Sequence, residues 1–124
     1  MYNEYQTLIF QGEFSDGQKN GVGVEYNEHG LNIYEGNFKN NIRNGQGIIF
    51  YSNGNKQYEG YLKNCKKHSY GTSYFKNGNK SYQGNWHENN FSGQGKKYFE
   101  NGNLEMDGYF SNNYKFKNQK IENY

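Results

Sequence analysis

Two short patterns of apolar and polar positions recur along the chain. In the first, an aromatic or apolar residue stands two places before and two places after a glycine, with polar residues between, as in Tyr34-Glu35-Gly36-Asn37-Phe38 and Tyr82-Gln83-Gly84-Asn85-Trp86. Alternation with period two marks a strand with one buried face. The glycine returns as Gly12, Gly36, Gly60, Gly84 and Gly108, a constant spacing of 24 residues. Phe10, Tyr34, Tyr58, Tyr82 and Met106 precede it, and Phe14, Phe38, Leu62, Trp86 and Phe110 follow it. Such self-similarity is the mark of a repeat architecture. Four full units, residues 10–33, 34–57, 58–81 and 82–105, and a partial fifth, 106–124, read as one domain over residues 1–124.

The second pattern begins nine residues past this anchor with Gly21, Gly45 and Gly93, where Ser69 is the exception, and continues eleven past it with Gly23, Gly47, Gly71 and Gly95. An aromatic column follows, Tyr26, Phe50, Tyr74 and Tyr98, and predicts the second strand of each unit. The five residues between the strands, such as DGQKN or NNIRN, suit a hairpin loop. Units join through His29-Gly30, Asn53-Gly54, Asn77-Gly78 and Asn101-Gly102. Asn-Gly between alternating strands is the strongest short hairpin signal, because both residues tolerate positive φ. The prediction is an all-β fold, an elongated twisted array of antiparallel β-hairpins with about ten strands, roughly 48 Å of ribbon at strand spacing. Glycines inside strands leave room for a ring to lie flat on the backbone, so rings are expected to stack from unit to unit on one face.

Composition sharpens this picture. The chain has no Ala or Pro, 22 Asn, 17 Gly, 14 Tyr and 9 Phe against only 12 Leu, Ile and Val, so rings must carry the burial. Fourteen basic and 12 acidic residues give +2, no field that announces nucleic acid or an anionic membrane. Residues 1–30 lack a charged start followed by an apolar run, and an intracellular, cytoplasmic protein is expected. One cysteine, Cys65, cannot form an internal disulfide.

The units YEGNFKNNIRNGQG (34–47) and YQGNWHENNFSGQG (82–95) resemble the MORN repeat, whose familiar form is Y-E-G-x-W/F-x-N-G-x-x-x-G-x-G followed by an aromatic strand and a turn glycine. The resemblance covers nearly the whole chain. It implies a non-enzymatic scaffold that binds protein partners within a larger assembly, including ciliary or other cytoskeletal ones. It also leaves open a bacterial-type antitoxin or immunity-like binder and a peripheral phospholipid-binding module. The 24-residue period and the NG-x-x-x-Y-E-G junction are similar to a variant found in small bacterial and viral repeat proteins, which usually has Trp at the third glycine where this chain keeps Gly.

Chemistry-bearing residues are sparse. His68 lies three residues after Cys65, but two ligands do not close a structural zinc site, and both fall in loop columns filled elsewhere by Asn, Gly and Ser. The recurring G-x-G begins a strand, whereas a phosphate loop needs a helix after it. Glu35 and Glu59 belong to a wet column of acids and amides with no pocket around it. No catalytic residue, metal, cofactor, small-molecule substrate or nucleic-acid partner is therefore expected. Seven past the anchor stand Lys19, Arg43, Lys67 and Lys115, with Phe91 in the fourth unit, a candidate basic row for weak contact with anionic lipid. Tyr51, Tyr70, Phe75 and Phe99 are the candidate interaction surface, since contiguous exposed rings mark binding sites. The open edges of the meander are candidates for self-association or docking, with residues 113–124 as a candidate cap.

Overall fold

The computed structural model describes residues 1–115. Ten strands follow in chain order: β1 Phe10–Ser15, β2 Gln18–Tyr26, β3 Asn32–Lys39, β4 Ile42–Phe50, β5 Lys56–Lys63, β6 Lys66–Tyr74, β7 Lys80–His87, β8 Asn90–Tyr98, β9 Leu104–Ser111 and β10 Tyr114–Lys115. They form one antiparallel sheet in the order β1 to β10, each strand paired only with its sequence neighbours. The all-β meander read from the 24-residue period is thus the observed fold. The proposed cap falls largely on residues 116–124, outside the described residues, and so does the side chain of Lys115.

Register explains the glycines. Gly12 pairs with Gly23, Gly23 with Gly36, and so on through Gly47, Gly60, Gly71, Gly84 and Gly95 to Gly108, a ladder of nine glycines that crosses the sheet. Beside it on one face lie Phe10, Tyr34, Tyr58, Tyr82, Phe38, Leu62, Trp86 and Phe110, all buried. The Tyr34 ring covers Gly47 so closely that a Cβ added there would sit 2.5 Å from Tyr34 Cε1, and Tyr82 covers Gly95 in the same way at 2.7 Å. The covering tyrosines also turn back on their own strand, donating from the hydroxyl to Asn37 O (2.9 Å), Tyr61 O (2.8 Å) and Asn85 O (2.9 Å). A buried phenol thus finds its partner without leaving the sheet.

Rings meet edge to face across repeats, Phe10 on Phe38 at 5.1 Å, Tyr58 on Trp86 at 5.6 Å and Tyr82 on Phe110 at 5.4 Å. The expected contact from unit to unit is present, in the T-shaped form that aromatic quadrupoles favour. Leu62 breaks the series next to Tyr34. Phe14, the first residue of its column, is half-exposed.

The turns differ from expectation. The tight turn is not at Asn-Gly but inside the predicted five-residue loop: Asn40-Asn41 (φ 51° and 71°), Asn64-Cys65, Glu88-Asn89, Asn112-Asn113 and Asp16-Gly17 all hold two consecutive positive-φ residues. That is the type I′ pair whose twist matches the flanking strands. At the unit junctions only the glycine has positive φ (Gly54, 91°). Gly54 N–H donates to Tyr51 O, and Tyr51 N–H donates to Asn55 O. This is the wider loop of a type I turn closed by a left-handed glycine. In both turns asparagine fastens one repeat to the next. Asn53 and Asn55 both donate to Lys76 O (2.9 Å each), and Asn77 and Asn79 both donate to Glu100 O (3.0 Å each). At the tight turns Asn41, Asn89 and Asn113 accept the N–H of Lys19, Lys67 and Phe91 through Oδ1, and each returns its own N–H to the same residue's carbonyl. The abundance of Asn is this fastening.

Cys65 fills the asparagine position of that clamp. It keeps the bond from its N–H to Arg43 O (2.9 Å) but brings no oxygen for the Arg43 N–H, and it holds φ at 68°. Cys65→Asn supplies the missing acceptor and a residue that tolerates the left-handed region. A gain of about 1 kcal/mol is expected, read as a melting temperature roughly 3–6 °C higher. Ser69 is the analogous exception in the bulge between strands. It adopts φ 57° where Gly21, Gly45 and Gly93 stand in the other repeats. Ser69→Gly removes a left-handed strain of about 1 kcal/mol, offset in part by the greater freedom of the unfolded chain. A denaturant midpoint raised with an unchanged slope is the expected result.

Residues 1–9 repeat the wide turn of the unit junctions, as the half unit their length suggests: Asn3 N–H donates to Thr7 O, Gln6 N–H donates to Asn3 O, and Gln6 holds φ 65° where the junctions have glycine. The Met1 ammonium donates to Phe10 O (2.9 Å), Tyr2 bridges Leu8, and the segment folds back on the start of β1.

Candidate functional site

A single-layer sheet with its rings on one face leaves the other face open, and the alternation decides what lies there. The residues on either side of each ladder glycine point away from the core. One row reads Val24, Glu35, Ile48, Glu59, Thr72, Gln83, Lys96 and Asp107 from β2 to β9, and the row beside it Val22, Asn37, Gln46, Tyr61, Tyr70, Asn85, Gln94 and Tyr109. Between the rows the glycine backbones form the floor of a shallow groove. Across β2–β5 it encloses about 440 Å³ lined by Val22, Val24, Glu35, Gln46, Ile48 and Glu59. Across β6–β9 it encloses about 290 Å³ with Tyr70, Gln83, Asn85, Gln94, Lys96 and Asp107 on its walls. Val22, Tyr70 and Tyr109 are 59%, 56% and 46% exposed, apolar surface that the fold itself does not use.

Glu35 accepts from Asn32 Nδ2 (3.0 Å), and Glu59 holds Lys56 Nζ (2.8 Å). That bond to Glu59 raises the Lys56 pKa. Desolvation, then the nearby Glu59 charge, raises that of Tyr74 on the same margin of the groove.

The sequence-selected residues are not brought to one place. Tyr70 lies in the groove. Tyr51, Phe75 and Phe99 open the wide turns along one margin of the sheet, each with its N–H bonded across the turn to Asn55, Asn79 or Asn103. Tyr51 is held further, donating its hydroxyl to Tyr74 O (2.7 Å). Phe99 is half-exposed. The four rings therefore belong to two separate regions of the surface.

The basic row is not in the loops. Lys19, Arg43 and Lys67 lie on strands, and their cations sit over the core rings: Lys19 Nζ is 4.8 Å from the Phe10 centroid, the Arg43 guanidinium 4.8 Å from Tyr34, and Lys67 Nζ 5.1 Å from Trp86. Burial pushes the Lys67 pKa down. In the fourth repeat Phe91 takes the same place and stacks on Tyr82 at 3.9 Å with ring planes 8° apart. The column is a lid on the aromatic face, and a neutral ring serves it as well as a cation. Of Lys115 only the backbone is described, paired with Phe110.

His68 meets His87 of the next strand, ring centroids 5.0 Å apart, and not Cys65, which is exposed at its turn. Among the described residues no group of three or more His, Cys, Asp or Glu could hold a metal ion. The groove residues Val22, Gln46 and Gln94 escaped selection from sequence. The signal was present, since each is the middle residue of a G-x-G and must point to the face opposite the glycines.

The family model for the MORN repeat matches residues 10–27, 34–56, 58–80 and 82–104. The chain belongs to the MORN repeat family. A comparison with curated proteins finds no match. MORN repeats are in general protein- or membrane-binding modules and typically non-catalytic. In this MORN array the matched segments begin at Phe10, Tyr34, Tyr58 and Tyr82, the rings that cover ladder glycines.

Proposed function

We propose that this MORN array is a non-enzymatic docking module that holds a protein partner on its open face within a larger assembly. The observation that carries the reading is the asymmetry of the sheet. One face is closed by rings, cations and Phe91, while the other leaves Val22, Tyr70 and Tyr109 in water beside two hollows that follow one another along the glycine ladder, over β2–β5 and over β6–β9. A hollow with apolar walls and a few convergent polar groups is the default binding-site reading.

The test is partner capture from the native lysate with the tagged full chain, in parallel with Val22→Asp/Tyr70→Asp and with Phe99→Asp. The expected result is a defined partner lost with the groove variant and kept with Phe99→Asp. Loss only with Phe99→Asp would move the site to the turn margin, and pelleting with anionic liposomes in place of partner capture would favour a membrane surface. Lys19, Arg43 and Lys67 are engaged with rings of the closed face, and the open face favours the protein reading.

A further inference from the structure

We infer that the groove takes an extended, polyproline-II segment with a basic residue at every third position, running across the strands along the glycine ladder. This rests on the docking reading above and names the chemistry of the partner. The first ground is charge. The walls carry Glu35 and Glu59 over β3–β5, with Lys56 on Glu59, and Asp107 opposite Lys96 over β8–β9, and their apolar part is Val22, Val24, Ile48 and Tyr70. An occupant must therefore offer cations and small apolar surface together. Glu59 already holds Lys56 at the end of its strand, but a carboxylate has lone pairs for a second donor.

The second ground is spacing. Glu35 is on β3 and Glu59 on β5, two strands apart, which is about 9.4–9.8 Å at normal strand separation. Three residues of polyproline II advance about 9.3 Å. Two residues of a β-strand advance about 6.6–6.8 Å, and one turn of α-helix about 5.4 Å, so neither keeps step with the carboxylates. Cations at positions i and i+3 then face Glu35 and Glu59, position i+6 faces the neutral Gln83, and i+9 faces Asp107 on β9. From β2 to β9 is seven steps, roughly 34 Å, enough for about eleven residues in this conformation. Polyproline II has no internal hydrogen bonds, and its carbonyls would find donors in Gln46, Gln94 and the Tyr70 hydroxyl.

Fluorescence polarisation with the full chain and labelled (Pro-Pro-Arg)4 tests this, with (Gly-Ser-Arg)4 and (Pro-Pro-Glu)4 as the flexible and the acidic controls. Saturable one-to-one binding of (Pro-Pro-Arg)4 is expected, at least tenfold tighter than (Gly-Ser-Arg)4, with no saturation by (Pro-Pro-Glu)4. Glu35→Gln/Glu59→Gln, which keeps an oxygen for Asn32, should weaken it at least tenfold with an unchanged melting curve. Glu35→Lys/Glu59→Lys should in turn bind (Pro-Pro-Glu)4. Equal binding of the two basic peptides, no saturation up to millimolar peptide, or full affinity in the glutamine variant each overturns the inference. A partner captured by wild type and by Glu35→Gln/Glu59→Gln alike would leave the docking module standing and remove only this account of what it recognises.

Discussion

Gly47→Val leaves the protein unfolded, or lowers its melting temperature by more than 15 °C, while Asn40→Gly stays within a few degrees of wild type. A Cβ at residue 47 would meet the Tyr34 ring at 2.5 Å, and that ring is fully buried and pinned through its hydroxyl to Asn37 O. Relief requires lifting the ring off the backbone. That gives up the hydroxyl bond, about 1 kcal/mol, and opens a space under a fully buried ring, for which large-to-small core changes indicate about 3–5 kcal/mol. Valine adds two methyl groups where even one atom has no room. Asn40 is the proper control with glycine because its φ of 51° makes other residues strained there. Circular dichroism melts of both variants decide the matter, and equal midpoints would mean that the rings do not need the glycine floor.

Alkaline pH unfolds the protein through the same tyrosines. Burial pushes the phenols of Tyr34 and Tyr82 up to about 12 from an ordinary 10, opposed at Tyr34 by Arg43, and drives Tyr58 up as well. A phenol whose folded pKa is raised stabilises the fold fully below pH 10, where both states hold the proton. Between pH 10 and 12 the unfolded chain gives up protons that the folded one keeps, so stability falls with rising pH, by on the order of 1 kcal/mol per pH unit for each tyrosine. Lys67, whose pKa burial lowers, works in the opposite sense, and its gain is complete before the tyrosine loss is. A cooperative loss of circular dichroism between pH 10 and 12, coincident with a step in tyrosinate absorbance, is the expected observation. Tyr34→Phe/Tyr58→Phe/Tyr82→Phe should shift it to higher pH, as Phe10 shows that the column accepts phenylalanine. Smooth titration of these phenols in a chain that stays folded would contradict their burial.

The strands and their order were legible because each column of the 24-residue period has one physical job, and repetition exposes the job even where a single unit is ambiguous. The second glycine of G-x-G reads as a place for a ring, and the ring is there. Turn chemistry was harder to read. Asn-Gly advertises a two-residue turn, yet the preceding residues carry the chain into a type I turn, and Asn40-Asn41, less conspicuous as letters, takes the tight form. The basic column was legible as a column but not as to its side, because Lys19 and Arg43 have stems long enough to reach either water or a ring, and only the register with Phe14 and Phe38 puts them on the aromatic face. The open groove could be reached from alternation alone. Ring counting drew attention instead to Tyr51 and Phe75, whose environment depends on turns that the sequence does not specify.

Every strand of this sheet pairs only with those beside it, and its rings and turn asparagines reach no further than the next repeat. Such a molecule behaves as a line of links rather than as a globule, so its cohesion is a sum of neighbouring joints. A load applied between its two ends, across the strands, opens those joints one after another, each peeling a hairpin and its asparagine fasteners before the next is strained. The array would lengthen in steps of one repeat at modest force, and would close again in the same steps, which makes it a compliant spacer between whatever its two ends are tied to.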